Sequence, residues 1–292
     1  MPNISEGGDE GAIAAIRKCF TADPVALLDQ HSDELHNRTV FTLAGADAPL
    51  VRALTAIARC TIERIDMTLQ EGAHPRIGAL DVCPIVWPRP DLRQNARETA
   101  LAIAEQLGAL GLPVFLYGEL ASSPERSERA YFRHGGPEML ARRMRDEGLV
   151  PDLGPHRPHA TAGGVLVTAR APLVAFNVEL EGADIDAGAR IAAGLRESGG
   201  GPQGVRAIAI ELAPGRIQIS ANVHDPLAVP LAQVVEAVRR LASTEGARPR
   251  SAELVGLVPA AALDGYPEDV PIAGEDPHER TIEARMTSLS AI

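Results

Sequence analysis

Aromatic residues are scarce: one Trp, three Tyr and five Phe make up 3% of the 292 residues. Stacking platforms for single-stranded nucleic acid are therefore not expected. Basic residues are outnumbered, with 28 Lys and Arg against 39 Asp and Glu, a net charge of -11. Such a surface repels nucleic acid and anionic lipid, so neither is an expected partner, and an anionic ligand would need a locally basic pocket. No apolar run approaches the roughly 20 residues of a membrane span. The opening "MPNISEGGDE" has no basic or apolar region of the kind a signal peptide carries. Cys19, Cys60 and Cys83 are odd in number and lack framework spacing, which reads as reduced thiols in a cytoplasmic protein.

What is present is ordinary for a globular chain: 45% hydrophobic and 23% charged residues, in a length that accommodates one large domain or two modest ones. Residues 9–20 read as a short helix with Ile13, Ile16 and Phe20 near one face. "VALLDQH" (25–31) and "RTVFTLAG" (38–45) read as strands, and Leu50, Leu54, Ile57, Thr61 and Ile65 step as a helix face. A buried strand at 79–87, a helix at 92–107 and a strand at 113–118 follow. Strands at 164–170 and 173–180, a helix marked by Ile185, Ile191 and Leu195, a hairpin of 205–212 with 216–223, a helix over 231–241 and a strand at 252–259 complete the pattern.

From residue 173 the order is βαββαβ, a split-βαβ, ferredoxin-like arrangement. The expected class is α+β, with two ferredoxin-like α/β subdomains at 1–168 and 169–264 and a loose acidic tail at 265–292. A ferredoxin-like first half needs a strand before the helix at 9–20, and only "PNIS" precedes it. That strand is expected to be absent or to lie upstream of Met1.

Polar groups concentrate in three loops: "HSDELHNRT" (31–39), "EGAHPRIGALD" (71–81) and "PDLGPHRPHATAGG" (151–164). From the residues alone, His74 could serve chemistry or close a turn before Pro75. Asn37 and Arg38 could contact substrate, or be a turn residue and a solvated cation; Arg76 carries the same two readings. Asp81 could tie a loop by a hydrogen bond. His156 and His159, with His31 or His36, invite a metal site, but no cysteine pair or H-E-x-x-H helix supports one and no metal is expected.

Several stretches together resemble a known family: "PNISEG" (2–7), "NRTVFTLAG" (37–45), "HPRIGALDVCP" (74–84), "PVFLYGE" (113–119), "PDLGP" (151–155), "LVAFNVEL" (173–180) and "LVGLVP" (254–259). The chain is similar to the glutamate formimidoyltransferases, folate-dependent transferases of histidine breakdown and one-carbon metabolism. The resemblance implies two α/β subdomains with the active site in the crevice between them, and a homodimer. It implies transfer of a formimino group from N-formimino-L-glutamate to tetrahydrofolate as co-substrate, giving 5-formiminotetrahydrofolate and L-glutamate. Two alternatives stay open: glutamate formyltransfer involving 5-formyltetrahydrofolate, and a non-catalytic folate-binding homologue. The chain is too short for the cyclodeaminase domain of the bifunctional relatives.

The family's catalytic histidine falls on His74. One proton must leave the attacking folate nitrogen and one must reach the departing glutamate nitrogen; an imidazole with a pKa near ~6.5 can do both. Asn37, Arg38 and Arg76 are the implied substrate-binding residues, the guanidinium forks suiting carboxylates. A locally basic crevice with Arg38, Arg76, Arg157 and Arg170 is expected. The implied folate loop comprises Gly154, Pro155, His156, Arg157, Pro158, His159, Ala160, Thr161, Ala162 and Gly163, where glycine and proline would let the backbone approach a flat pterin.

Two positions depart from the family. His31 stands where animal relatives have an aspartate, leaving its task to a second imidazole or to Asp29 or Asp33. "SGGGPQG" (198–204) lacks the basic residue the family places in that loop. Asn222 is a further candidate ligand.

Overall fold

A computed structural model describes residues 1–20, 24–34, 37–71, 75–213 and 215–290, without the side chains of 288–290. The chain divides into two compact units, Met1–Arg170 and Ala171–Ile292.

The first unit is built on a six-stranded sheet of order β2-β3-β1-β4-β6-β5. Its strands are β1 (Asn3–Ile4), β2 (Ala26–Asp33), β3 (Arg38–Ala44), β4 (Leu80–Val86), β5 (Val114–Leu116) and β6 (Val165–Arg170). The slot expected to be empty, or filled from upstream, is taken by β1: Asn3 pairs with Val40 of β3 and Val82 of β4. Two residues suffice because their neighbours extend the ladder. Phe41 N donates to Pro2 O at 3.1 Å, and Ser5 N donates to Ala79 O at 2.8 Å. So short a strand has no periodicity of its own, which is why the pattern missed it.

Three helices follow their apolar spacing. In α1 (Glu10–Lys18), Asp9 caps the N-terminus by accepting from Ala12 N, and Ile13 and Ile16 are buried. Phe20 then meets Phe41 edge to face, with ring centroids 5.9 Å apart. In α2 (Asp47–Arg64), Ala53, Leu54, Ile57, Ala58 and Thr61 are buried. α3 (Arg93–Ala109) buries Ala100, Ile103, Ala104 and Leu107. β6 belongs to this unit, not to the second half: it pairs in parallel with both β4 and β5. Its unbroken buried run Val165–Ala169 is the mark of a central parallel strand. Two helices escaped the sequence pattern, α4 (Arg129–Arg133) and α5 (Gly136–Asp146). They bury only Phe132 and Leu140, too few apolar points to declare a face.

The second unit is a four-stranded antiparallel sheet of order β10-β7-β9-β8, from β7 (Val174–Glu181), β8 (Val205–Ala213), β9 (Arg216–Val223) and β10 (Arg248–Val255). Helices α6 (Ile185–Leu195) and α7 (Leu231–Thr244) close a core that includes Phe176, Val178, Ile191, Leu195, Ile219, Val234 and Val238.

The segment after Gly265, expected to be loose, returns to this core. Ala252 N donates to Pro271 O and Ala273 N to Ala252 O, which satisfies part of the outer edge of β10. Val270 is buried, Tyr266 packs on Phe176, and α8 (Ile282–Ser290) follows. Among the described residues no helix is long and apolar enough to cross a membrane.

The cysteines correct a second expectation. Cys19, at the end of α1, is joined to Cys60 of α2 as a disulfide, with Cα atoms 6.7 Å apart; only Cys83 is free, and it is buried. The pair is 41 residues apart in sequence, and only the packing of α1 on α2 makes it adjacent. Burial pushes the Cys83 thiol up to about 11, so it is an unreactive core residue. Closing a loop of this length should stabilise the protein by about 3–4 kcal/mol. Cys60→Ser should lower the unfolding free energy in urea by that amount. Dithiothreitol should reproduce the loss in the wild type and leave the variant unchanged.

Candidate active site

Strand register sorts the polar groups of the first unit onto one face. Asn3 lies opposite Val40 and Val82, and Val82 pairs with Leu166. With a side-chain period of two, Arg38 shares the face of Val40, and Arg170 that of Leu166. Ile4, Thr39 and Phe41 point the other way into the core. β1 is out of step with β4: consecutive Asn3 and Ile4 face Val82 and Leu80, which leaves Asp81 as the extra residue of a bulge. A bulge re-aims a side chain, and this one delivers a carboxylate among arginines. Asp81 is 3% exposed; it accepts from Ile77 N at 2.8 Å and is ion-paired with Arg133 of α4. The loop-tying reading of Asp81 is thus correct, and the ion pair adds to it.

Around Asp81 the charge is mostly positive. Arg38 donates to Asn3 Oδ1. Burial pulls its pKa down to about 10; Asp81 opposes the shift, while Arg133 and Arg129 add to it. Burial also lowers Arg170 to about 10, with Tyr117 opposing and Arg129 adding. Arg76, 7% exposed, is lowered by burial and partly restored by Asp81 and Glu6. For Arg38 and Arg76 burial outweighs the neighbouring carboxylates, and for Arg170 it outweighs Tyr117. Of the arginines expected to make a basic crevice, Arg76 is buried and Arg38 and Arg170 are half-buried in the first unit. Arg157 is exposed on its loop.

Asn37 does not offer its amide freely. Oδ1 accepts from Gly7 N at 2.8 Å, while Nδ2 donates to Gln70 Oε1 at 2.5 Å and to Glu71 O at 2.7 Å. Its carbonyl accepts from Arg76 Nη1 at 3.1 Å. His74 and His36 lie outside the described residues. His31 is exposed on edge strand β2 opposite Val40, and so shares the face of Arg38.

The loop 154–163 splits into two parts. Gly154 packs against Leu112 near β5, and His156 and Ala160 are exposed. Residues 159–163 press against the strand entry at 77–79. His159 and Gly163 exchange backbone hydrogen bonds of 2.9 and 3.0 Å, and His159 Nδ1 accepts from Ala162 N at 3.1 Å. Thr161 O accepts from Met67 N, and Ala162 O from Ala79 N. A Cβ on Gly163 (φ +67°) would lie 2.2 Å from Ile77 O, and one on Gly78 1.9 Å from Gly164 O. Gly78 and Gly163 are required by chain-on-chain contact, because a side chain at either would strike backbone.

The structure therefore gathers Asn37, Arg38, Arg76 and Asp81 with residues 159–163, and leaves Gly154 and Pro155 beside β5. Glu6, Gln70, Arg129 and Arg133 also belong to this cluster. Of these only Glu6 falls in a stretch the sequence marks, and neither α4 arginine carries a motif. Among the described residues no group of His, Cys, Asp and Glu is placed to hold a metal ion.

In the second unit a cavity of about 500 Å³ is lined by Arg196, Ser198, Arg206, Ile208, Ser220 and Asn222. Arg196 donates from Nε to Ala207 O at 2.7 Å. The loop 198–204 has no basic residue, and the cations beside it come from its two flanks.

The family model for the formiminotransferase domain, N-terminal subdomain, matches residues 1–170. The chain is 39% identical over 266 residues to a glutamate formimidoyltransferase of Streptococcus pyogenes serotype M1, covering 90% of this chain and 89% of the relative. It is 36% identical over 272 residues to a glutamate formimidoyltransferase of Thermoplasma acidophilum, covering 90% and 88%. It is 35% identical over 272 residues to a formimidoyltransferase-cyclodeaminase of Mus musculus, of which it covers 50%.

Removing Asp81 should expose the charge imbalance it offsets. Asp81→Ala leaves buried arginines without their carboxylate and should cost roughly 3–5 kcal/mol. Asp81→Asn keeps an acceptor for Ile77 N and should cost less. Equal midpoints for both variants in urea unfolding would show that the charge is immaterial.

Proposed function

The chain belongs to the formiminotransferase family, and on that premise we propose that it transfers the formimino group from N-formimino-L-glutamate to tetrahydrofolate, yielding 5-formiminotetrahydrofolate and L-glutamate. Two relatives named glutamate formimidoyltransferase match along nearly their whole length, whereas the bifunctional relatives are matched along half. A transferase of histidine degradation fits the likeness to these relatives. The order of each sheet, with the fourth strand beside the first and the third beside the second, supports reading both units as ferredoxin-like subdomains. Action in the cytoplasm as a homodimer is part of the same proposal, on family likeness.

The observation that carries this reading is the set of arginines around Asp81, buried Arg76 and half-buried Arg38 and Arg133, with Arg76 two residues after His74 in sequence. Both substrates carry glutamate carboxylates. Leaving a carboxylate desolvated and unpaired would cost several kcal/mol, and Arg38 and Arg76 would supply the partners in an otherwise acidic protein. The pterin would lie against the loop 154–163, whose Pro155, Pro158 and His159 offer flat and apolar contact. His74 would take the proton from the attacking nitrogen and return one to the departing glutamate nitrogen.

Turnover of N-formimino-L-glutamate with tetrahydrofolate tests the activity directly, with 5-formyltetrahydrofolate and glutamate assayed in parallel. His74→Ala should reduce kcat by roughly 10²–10⁴. His74→Gln, which hydrogen-bonds but does not titrate, should be about equally poor. Recovery of rate in the Gln variant would make residue 74 a positioning group.

The arginines make a separate prediction. Arg38→Ala or Arg76→Ala should weaken binding of one substrate by roughly 1–3 kcal/mol, read as a raised KM. Unchanged KM for both substrates in both variants would remove these residues from the site.

A further inference from the structure

We infer that Glu6, Gln70 and Asn37 form a polarised hydrogen-bond relay whose task is to position the catalytic segment, and that Asn37 is a positioning residue instead of a substrate ligand. The inference rests on the reading of His74 as the proton shuttle. Its basis is the pair of residues the relay grips. Glu71 precedes the segment 72–74, and its carbonyl accepts from Asn37 Nδ2 at 2.7 Å. Arg76 follows it, and its Nη1 donates to the Asn37 carbonyl at 3.1 Å. A single residue thus ties both flanks of the segment that carries His74. Asp81 secures the downstream flank further by accepting from Ile77 N.

The order of donors and acceptors explains why these three side chains are needed together. Glu6 is 8% exposed; its Oε1 accepts from Gly8 N and Asp9 N, each at 2.9 Å. An ionised carboxylate accepts only. Gln70 must therefore present its amide nitrogen to Glu6, and Nε2 donates to Oε2 at 3.0 Å. That orientation turns Gln70 Oε1 toward Asn37, which must answer with Nδ2, at 2.5 Å. Asn37 Oδ1 is then left facing Gly7 N–H, which donates at 2.8 Å. The charge of Glu6 thus sets the orientation of two amides in series.

Backbone geometry adds independent support. Asn37 has φ +47°, the one non-glycine left-handed residue among those described. Asparagine tolerates that region better than most residues, and strained conformations concentrate where function over-determines them.

The test is steady-state kinetics of the full-length protein, each substrate varied in turn with the other saturating. Gln70→Glu sets a carboxylate against Glu6 and should lower kcat roughly 10²-fold through misplacement of the shuttle, with KM unchanged. The exchange Glu6→Gln with Gln70→Glu restores every donor–acceptor pair with the charge moved one residue along, and should recover most of kcat. Asn37→Asp keeps the acceptor for Gly7 but loses both donations; it should show the same kcat loss and serves if Gln70→Glu does not fold.

In a His74→Gln background, Gln70→Glu should cause no additional loss, because the relay acts through His74. A normal kcat in Gln70→Glu and Asn37→Asp would overturn the inference. So would a raised KM at full kcat, a charge exchange no better than Gln70→Glu, or an additive loss in the His74→Gln background. A fully active His74→Gln would instead overturn the catalytic reading, and the inference with it. That outcome is distinct from an inactive His74→Gln beside a fully active Gln70→Glu, which overturns the relay alone.

Discussion

Two residues, Asn3 and Ile4, join the two halves of the first sheet. Without them β3 and β4 would face each other with unpaired backbone. The same short segment organises the polar cluster. Asn3 accepts from Arg38, Ser5 donates from Oγ to Gly78 O, Glu6 holds Gln70, and Gly7 donates to Asn37. The first nine residues are thus a central strand followed by the anchor of the candidate site. Because β1 is so short, its mismatch against β4 falls at a single position, and that position is Asp81.

Asp81 links sheet geometry to electrostatics. The protein carries a net charge of -11, yet this part of the first unit holds Arg76 buried and Arg38 half-buried, both lowered by burial. One carboxylate, buried at a bulge and paired with Arg133, makes that arrangement tolerable in the folded protein. The remaining positive potential is localised. An anionic substrate would be drawn to this face while the acidic surface elsewhere discourages other polyanions.

The loop 154–163 and the entry to β4 depend on each other in the same way. Gly78 and Gly163 let the two chains touch, and the resulting contact brings residues 159–163 beside Arg76 and Asp81.

Hydrophobic periodicity was enough to place α1, α2, α3, α6, α7 and nearly all the longer strands, because burial of one face in three or four residues, or one in two, is written locally. The motif stretches were enough to identify the family and to nominate Asn37, Arg38, His74, Arg76 and the loop 154–163. Tertiary structure alone decided the rest. It placed β1 in a slot too short to show a pattern, assigned β6 to the first sheet by parallel pairing, and folded the tail back on β10 because an edge strand needs partners. It joined Cys19 to Cys60 across 41 residues, and it brought Arg133 and Gln70, which carry no motif, to Asp81 and Asn37. These outcomes depend on contacts between distant residues, and the sequence supplies the chemical groups for them without recording which groups will meet.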